Sequence, residues 1–342
     1  MSLKSWVGWI WGAGALLAPM GCQGTVVDES GPQNPTSRIH EAVAPAAPAT
    51  SIKVYAMNIL APCWASPSDY PSQCVGLLDT SRRRAALLNF IDDNKSTADA
   101  LTFQETQTSE NAWLSQRLTS GSEAFYYYSA NHDDDYWARW ITQDPPFQSN
   151  GVAIAVSKAK YDSCTFVDYP LGTGNHAAIA TCRNKSLDTF VRMASVHLDS
   201  DRGGRRKKES AALRSWFTDS SGAYIDIIAG DFNASTSAGV VHIELTSGAH
   251  FVDVLAATGH PEQTHPYSTG YNGNTMYGPI DHVLARGAGV TPSEGTIYDS
   301  NLWTQYPNLN GANDDPNEAL RICANLQAIG SDHYYISGTI TR

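Results

Sequence analysis

Hydrophobic positions along this chain change period several times, and each change marks an element. The first apolar run, residues 6–20, follows the lone cation Lys4 and is too short to cross a bilayer, the pattern of an export signal spanning residues 1–21. Residues 22–50 carry much Pro, Ala, Ser and Gly and read as a flexible tether, so a catalytic domain is expected over 51–342. Residues 52–60 form a short apolar strand. Residues 82–94 then place Ala85, Leu88 and Ile91 at helical spacing, with Thr80 or Ser81 to cap the helix. A strand at 98–104 and a helix at 110–118, with Trp113, Leu114, Arg117 and Leu118 on one face, follow.

After Phe125 the pattern shortens to strand upon strand, at 125–129, 151–157, 164–168, 177–182 and 189–197. A helix at 207–218, an apolar strand at 224–229, a short helix at 239–245 and strands at 280–284 and 334–340 complete the chain. The segment 298–325, loaded with Asn, Asp, Pro and Gly, reads as a long surface loop. Two mixed, mostly antiparallel β-sheets packed face to face and flanked by helices satisfy this α/β (α+β) alternation without leaving an apolar face in water.

With 42% hydrophobic and 17% charged residues over 342 positions, disorder is not the default. The formal charge of −11 provides no global basic surface to hold a nucleic-acid backbone, but suits an enzyme whose acids bind cations that receive a phosphate. Cys22 after Gly21 resembles the lipidation site of a bacterial lipoprotein, although Pro19 and Met20 depart from the usual box; a plain thiol after ordinary cleavage is the other reading. An exported protein, secreted or anchored as an outer-membrane lipoprotein, can form disulfides. Cys63 with Cys74 and Cys164 with Cys182 close the shortest loops and leave Cys323 over.

Candidate chemistry gathers where apolar strands stop. Residues 227–233 end a buried strand at Gly230 and present Asp231 and Asn233, which share a side if the strand continues; a carboxylate beside a neutral donor suits displacement at phosphorus, though Gly, Asp and Asn are also turn residues. Ser331-Asp332-His333 and Ile280-Asp281-His282 precede two further strands. A histidine base needs a carboxylate on its other ring nitrogen, so Asp281 is the expected partner of His333, with Asp332 as a metal or metal-water ligand and His282 at the surface or core edge. His197 ends a strand as Asp231 does and could serve a phosphate oxygen or a leaving group. Glu105 follows a strand, as either a ligand or a helix cap, and Asn58 is an amide inside an apolar strand.

Taken together, residues 57–60, Gln104-Glu105, 196–198, 230–233, 280–282 and 331–333 stand in an order that resembles the endonuclease/exonuclease/phosphatase superfamily across nearly all of 51–342. The resemblance implies a four-layered α/β sandwich with Glu105 as the main ligand of Mg2+ (or Mn2+) and Asn58 beside it. It further implies that Asp231 and Asn233 orient nucleophile and phosphate, that His333 with Asp281 is the base, and that His197 steadies the phosphate. Asn58, Arg82, Arg83, Arg84 and the run 150–154 look most like the deadenylase, nocturnin and Angel branch, which makes Asn150 a substrate contact; His282 stands where many relatives have tyrosine. The activity so implied is metal-dependent hydrolysis of phosphodiesters by a monomer, on DNA or RNA, with a sphingomyelinase-like lipid phosphodiesterase or a phosphatase as alternatives. Arg205 and Arg206 open a helix where cations are disfavoured, which a phosphate-attracting rim would explain and a solvated loop would not need to. Trp137 and Trp140 are placed to stack on bases, enter a lipid interface, or simply pack their loop.

Overall fold

The run predicted at 52–60 is apolar without alternation because both of its faces are covered. The computed structural model describes residues 50–342 other than 63, 66, 68, 69, 134–149, 201, 219–222, 236–238, 261, 267–278, 300, 308 and 310–316. In it, β1 (Ser51–Asn58) sends Ile52, Val54 and Ala56 into one hydrophobic layer and Tyr55 and Met57 into another. It pairs parallel with β2 (Ala100–Thr106) and antiparallel with β12 (Tyr335–Thr341). The rest of this sheet is β4 (Gly151–Ser157) and β3 (Phe125–Asn131) beyond β2, and β11 (Thr291–Tyr298) beyond β12.

The second sheet runs β5 (Tyr161–Pro170), β6 (His176–Asn184), β7 (Thr189–His197), β8 (Tyr224–Asp231), β10 (Asp281–Arg286) and the short β9 (Val252–Asp253). Only β7 and β8 are parallel within it. The two six-stranded sheets face each other across Val152, Ile154 and Val156 on one side and Met193, Ile225, Ile227 and Val283 on the other. Helices α1 (Thr80–Asn94) and α2 (Thr108–Leu118) cover the first sheet through Leu87, Ile91, Leu114 and Leu118. Helix α3 (Gly203–Trp216) covers the second through Leu213. Four layers result, as expected, although Asp79 rather than Thr80 or Ser81 caps α1, accepting from the Arg82 backbone N–H at 3.0 Å.

A buried aliphatic side chain contributes roughly 1.5–3 kcal/mol, so a polar residue between the sheets needs a reason. Gln104 and Ser195 supply one: the Gln104 Nε2 donates to Ser195 Oγ at 3.1 Å, and that hydroxyl donates to the Phe103 carbonyl at 3.1 Å, bolting β2 to β7. Gly230, at φ +145°, passes so close to β7 that a Cβ would sit 2.1 Å from the Val196 carbonyl, so only glycine permits the approach. These contacts set the strand ends of both sheets together at one rim.

Three expectations change. The segment 298–325 is not simply a loop: β11 precedes it, and α4 (Glu318–Ile329) buries Arg321, Ile322, Asn325, Leu326 and Ile329 before Gly330 ends it in the left-handed conformation. Its polar residues at 307–317 mask a helical stripe that starts only at Ile322. Cys74 pairs with Cys323, not Cys63, across 249 positions, because α4 returns to the 72–77 turn; Cys63 lies outside the described residues, and Cys164–Cys182 forms as expected. His282 is wholly buried, its Nδ1 on Asp253 Oδ2 at 2.9 Å and its Nε2 on the Ala234 carbonyl at 3.0 Å.

The long-range disulfide restricts the unfolded chain far more than a local one would. Replacing Cys323 by Ser should therefore cost about 2–5 kcal/mol in denaturant unfolding, against a smaller loss for Cys182→Ser. Equal losses would contradict the loop-closure account.

Candidate active site

Every motif singled out at a strand end arrives at the same rim. β1 and β2 bring Asn58 and Glu105 from the first sheet, and β7 and β8 bring His197 and Asp231 from the second. Asp281 starts β10 directly opposite Asp231 in the ladder, and His333 lies just before β12. Asp231, only 1% exposed, is the hub. Its Oδ2 accepts from Asn58 Nδ2 at 3.2 Å and lies 3.5 Å from His197 Nε2 and 3.6 Å from His333 Nε2. His333 turns its Nδ1 to Asp281 Oδ2 at 2.9 Å, the partnership anticipated from the sequence.

The charges inside this cluster displace its titrations. Burial and repulsion by Asp281 raise the Asp231 carboxyl above the usual range, while His333 and His197 oppose the rise. For His333 burial acts downward, but Asp281, Asp231 and Asp332 outweigh it and hold the imidazole well above an ordinary histidine. Asp231, Asp281 and His333 place one ligand atom each within 4.8 Å of one another, close enough for a shared proton or a shared cation.

Glu105 stands on backbone at φ +61°, beside the register shift between Gln104 and Thr106, which turns its carboxylate out of the ladder and into the cleft. Its Oε1 accepts from Asn58 Nδ2 at 2.9 Å and its Oε2 from the Ala61 N–H at 2.9 Å. Asn58 thus directs its amide nitrogen between two carboxylates, while its oxygen accepts from the Leu60 N–H. Asp332 Oδ2 accepts from the Tyr70 hydroxyl at 2.9 Å, whereas its buried Oδ1 has no hydrogen-bond partner among the described residues. Burial raises the Asp332 carboxyl; His333 opposes this and the nearby Glu105 charge adds to it. An orphaned carboxylate oxygen beside a second carboxylate is a donor set for a hard divalent cation, so these residues fit the magnesium that the resemblance implies.

The other expected residues are placed differently. Strand β8 stops at Asp231, so period two does not reach Asn233, which adopts φ +48° and donates Nδ2 to the Leu198 carbonyl at 2.9 Å and its backbone N–H to Asp231 Oδ1 at 2.8 Å. It pins β7 to β8 rather than sharing a face with Asp231. Asn150 is 2% exposed; its Oδ1 accepts from the Gly151 N–H, and its buried Nδ2 has no partner among the described residues. Arg206 donates to the Asp199 and Ser200 carbonyls at 2.7 and 3.0 Å, and Arg205 to the Thr173 carbonyl at 3.3 Å with Asp199 Oδ2 at 3.6 Å. Both arginines brace the turn after His197 through these contacts. Trp137 and Trp140 lie outside the described residues.

Several supports were missed by the sequence, Thr264 and Glu209, or named in it without this role, Ser331 and Arg83. Thr264 donates Oγ1 to Asp281 Oδ2 at 2.7 Å and accepts the N–H groups of Ile280 and Asp281, fixing the carboxylate that faces His333. Ser331 donates to the Asn58 carbonyl at 2.6 Å and accepts from the His333 N–H, tying the two ends of the chain across the site. Arg83 donates to the carbonyls of Leu78, Ile59 and Leu60, holding the turn after Asn58. Buried Glu209 accepts from the Asp199 N–H and Asn175, beneath the His197 turn.

The model of the endonuclease/exonuclease/phosphatase family matches residues 75–333. No curated protein matches the chain significantly in sequence. Among solved structures, ANGEL2, described as a 2',3'-cyclic phosphatase in complex with adenosine-2',3'-vanadate, is 15% identical with a TM-score of 0.60, over 86% of this chain and 96% of that one. The human Nocturnin catalytic domain with bound sulfate is 15% identical with a TM-score of 0.56, over 85% and 94%. D. rerio TDP2 with a single-strand DNA product is 15% identical with a TM-score of 0.53, over 86% and 100%. At such identities these structures establish a shared fold, while the family match extends from before α1 to His333 itself. The chain belongs to the endonuclease/exonuclease/phosphatase family and is a hydrolase of phosphodiester or phosphate bonds.

Proposed function

We propose that this chain is an exported, magnesium-dependent phosphodiesterase whose substrate is a nucleic acid or nucleotide. The observation that carries the reading is the convergence of Asn58, His197 and His333 on the one oxygen Asp231 Oδ2, with Glu105 joined to the cluster through Asn58. Glu105 and Asp332 would hold the cation, which when bound offsets negative charge on a phosphoryl oxygen. His333, oriented by Asp281, takes the proton of the attacking water through Nε2, the ring atom that faces the cleft. Asp231 Oδ2 holds both that imidazole and His197 within 3.6 Å, so His197 is near enough to donate to a phosphate oxygen or the leaving group. Asn58 donates to both carboxylates and spaces Glu105 from Asp231.

The DNA product on TDP2 and the adenosine vanadate on ANGEL2 support a nucleic-acid or nucleotide substrate on this fold. Export, with or without lipid at Cys22, rests on the apolar run 6–20 and on two disulfides in the folded chain. Magnesium rather than manganese, action as a monomer and the choice of nucleic acid over sphingomyelin belong to this same proposal. Parallel assays on DNA, RNA, a dinucleotide phosphodiester and sphingomyelin liposomes, each with and without chelator, test it; hydrolysis of liposomes alone would turn it to the lipid phosphodiesterase.

Glu105→Gln keeps the volume and loses the charge; it should lower kcat on the preferred substrate by about 10²-fold or more while the melting temperature stays within a few degrees. Activity untouched by chelator and by this change would remove the mechanism. Because His333 is held above the ordinary histidine value near 6.5, kcat/KM should climb with pH on the alkaline side of that value as the imidazole loses its proton. Asp281→Asn withdraws the largest upward influence, so the limb should move to lower pH and the maximum fall by about 10²-fold; a limb that stays in place would dissociate it from His333. The same raised value makes His333 stabilise the fold below pH of about 6.5 and lose that contribution as pH rises through the folded-state pKa.

A further inference from the structure

The mechanism above leaves His265 unused, although it stands against the proposed base. Its ring meets the His333 ring edge to face with centroids 4.6 Å apart. His265, Asp332 and His333 each offer one ligand atom, and these atoms all lie within 4.8 Å of one another. We propose that these three side chains form a binding site for zinc or a similar divalent transition ion, one that leaves out Glu105 but competes with the proposed magnesium site for Asp332, and that an ion there inhibits hydrolysis.

The position of His265 is built rather than incidental. Its neighbour Thr264 is tied to Asp281 by its hydroxyl and to the Tyr334 N–H by its carbonyl at 2.8 Å, and the Pro266 carbonyl accepts from the buried Arg321 at 3.1 Å. One flank of the histidine is therefore anchored beside His333 and the other to α4, the helix that precedes Asp332. Asp332 contributes the buried Oδ1 that has no hydrogen-bond partner among the described residues. For His333, Nδ1 is engaged with Asp281, so Nε2 is the ligand atom, and the carboxylate–imidazole pair that orients it is the outer-shell arrangement that strengthens histidine ligands to zinc.

Donor chemistry separates the two ions. Two imidazole nitrogens and one carboxylate oxygen suit zinc, cobalt or nickel, whereas magnesium prefers oxygen alone. Metal–ligand lengths of roughly 2.0–2.2 Å require donors about 3.3–3.6 Å apart in a tetrahedron, so atoms now within 4.8 Å of one another would have to close up by no more than about 1.5 Å. Occupancy would take the Nε2 lone pair that the reaction needs for the water proton, and would draw Asp332 from Glu105. The inhibition rests on the proposed role of His333; the binding does not.

The full-length chain, with any free thiols alkylated, can be titrated with CoCl2 followed by visible absorption and with ZnCl2 followed by calorimetry, both in excess magnesium. One ion per chain is expected, with affinity kept in Glu105→Gln and reduced at least about tenfold in His265→Phe, since even outer-shell changes cost 10–100-fold. Asp332→Asn removes a second ligand with the same expectation, so a poorly folding His265 variant does not decide the matter alone. In the hydrolysis assay the half-inhibiting zinc concentration, normalised to each variant's own zinc-free rate, should rise by the same factor. Zinc affinity unchanged in both ligand variants overturns the site, and affinity lost only in Glu105→Gln moves the ion to the magnesium position and overturns it equally. A chain that binds zinc as described yet hydrolyses none of the phosphodiesters keeps the site and refutes the catalytic reading instead.

Discussion

Asp231 places a carboxylate, 1% exposed, at the seam between two sheets, and much of the rim is arranged around that burial. An ionised group in such a position is costly unless donors surround it, because water is replaced by a medium that solvates charge poorly. Asn58 comes from the other sheet, His197 from the neighbouring parallel strand and His333 from the last strand's approach. Each is also a group that a phosphoryl-transfer site needs. The compensation of one buried charge and the assembly of the reactive cleft are thus the same set of contacts.

The sheets must meet closely for this to work, and two small features permit it. Gly230 lets β8 lie against the Val196 carbonyl, and the Gln104–Ser195 bond replaces an apolar contact between the sheets one residue from Glu105. Around them Thr264, Ser331, Arg83 and Glu209 bind backbone and carboxylate groups just outside the reactive atoms. Such supports restrict rotamers, which is how a site on strand ends and loops reaches the precision catalysis requires. Arg205 and Arg206 belong to this group: they steady the turn after His197 by binding carbonyls.

Asp281 illustrates how the arrangement couples structure to proton affinity. It repels Asp231, attracts the proton of His333 and is itself fixed by Thr264. Two acids about one imidazole make that imidazole a stronger base, at the expense of its staying protonated to higher pH. The arrangement favours reaction on the alkaline side of an ordinary histidine and makes the same histidine attractive to cations that prefer nitrogen.

Strand existence and the ends that carry chemistry were legible in the sequence, since a buried strand shows as an unbroken apolar run and polar residues at its tip stand out against it, as Asp231 and His197 do. The Asp281–His333 pair could be anticipated because a histidine base requires a carboxylate. What could not be read was decided by chain segments far apart in sequence. Cys74 meets Cys323 only because α4 returns beside the 72–77 turn, and α4 itself was hidden by the polar stretch before it. Asn233 leaves the strand's alternation because a left-handed residue there can tie β8 to Leu198. Periodicity records which faces are buried, a local average over neighbours. Which distant groups meet on that burial depends on sheet order and approach, and so only the tertiary structure settled it.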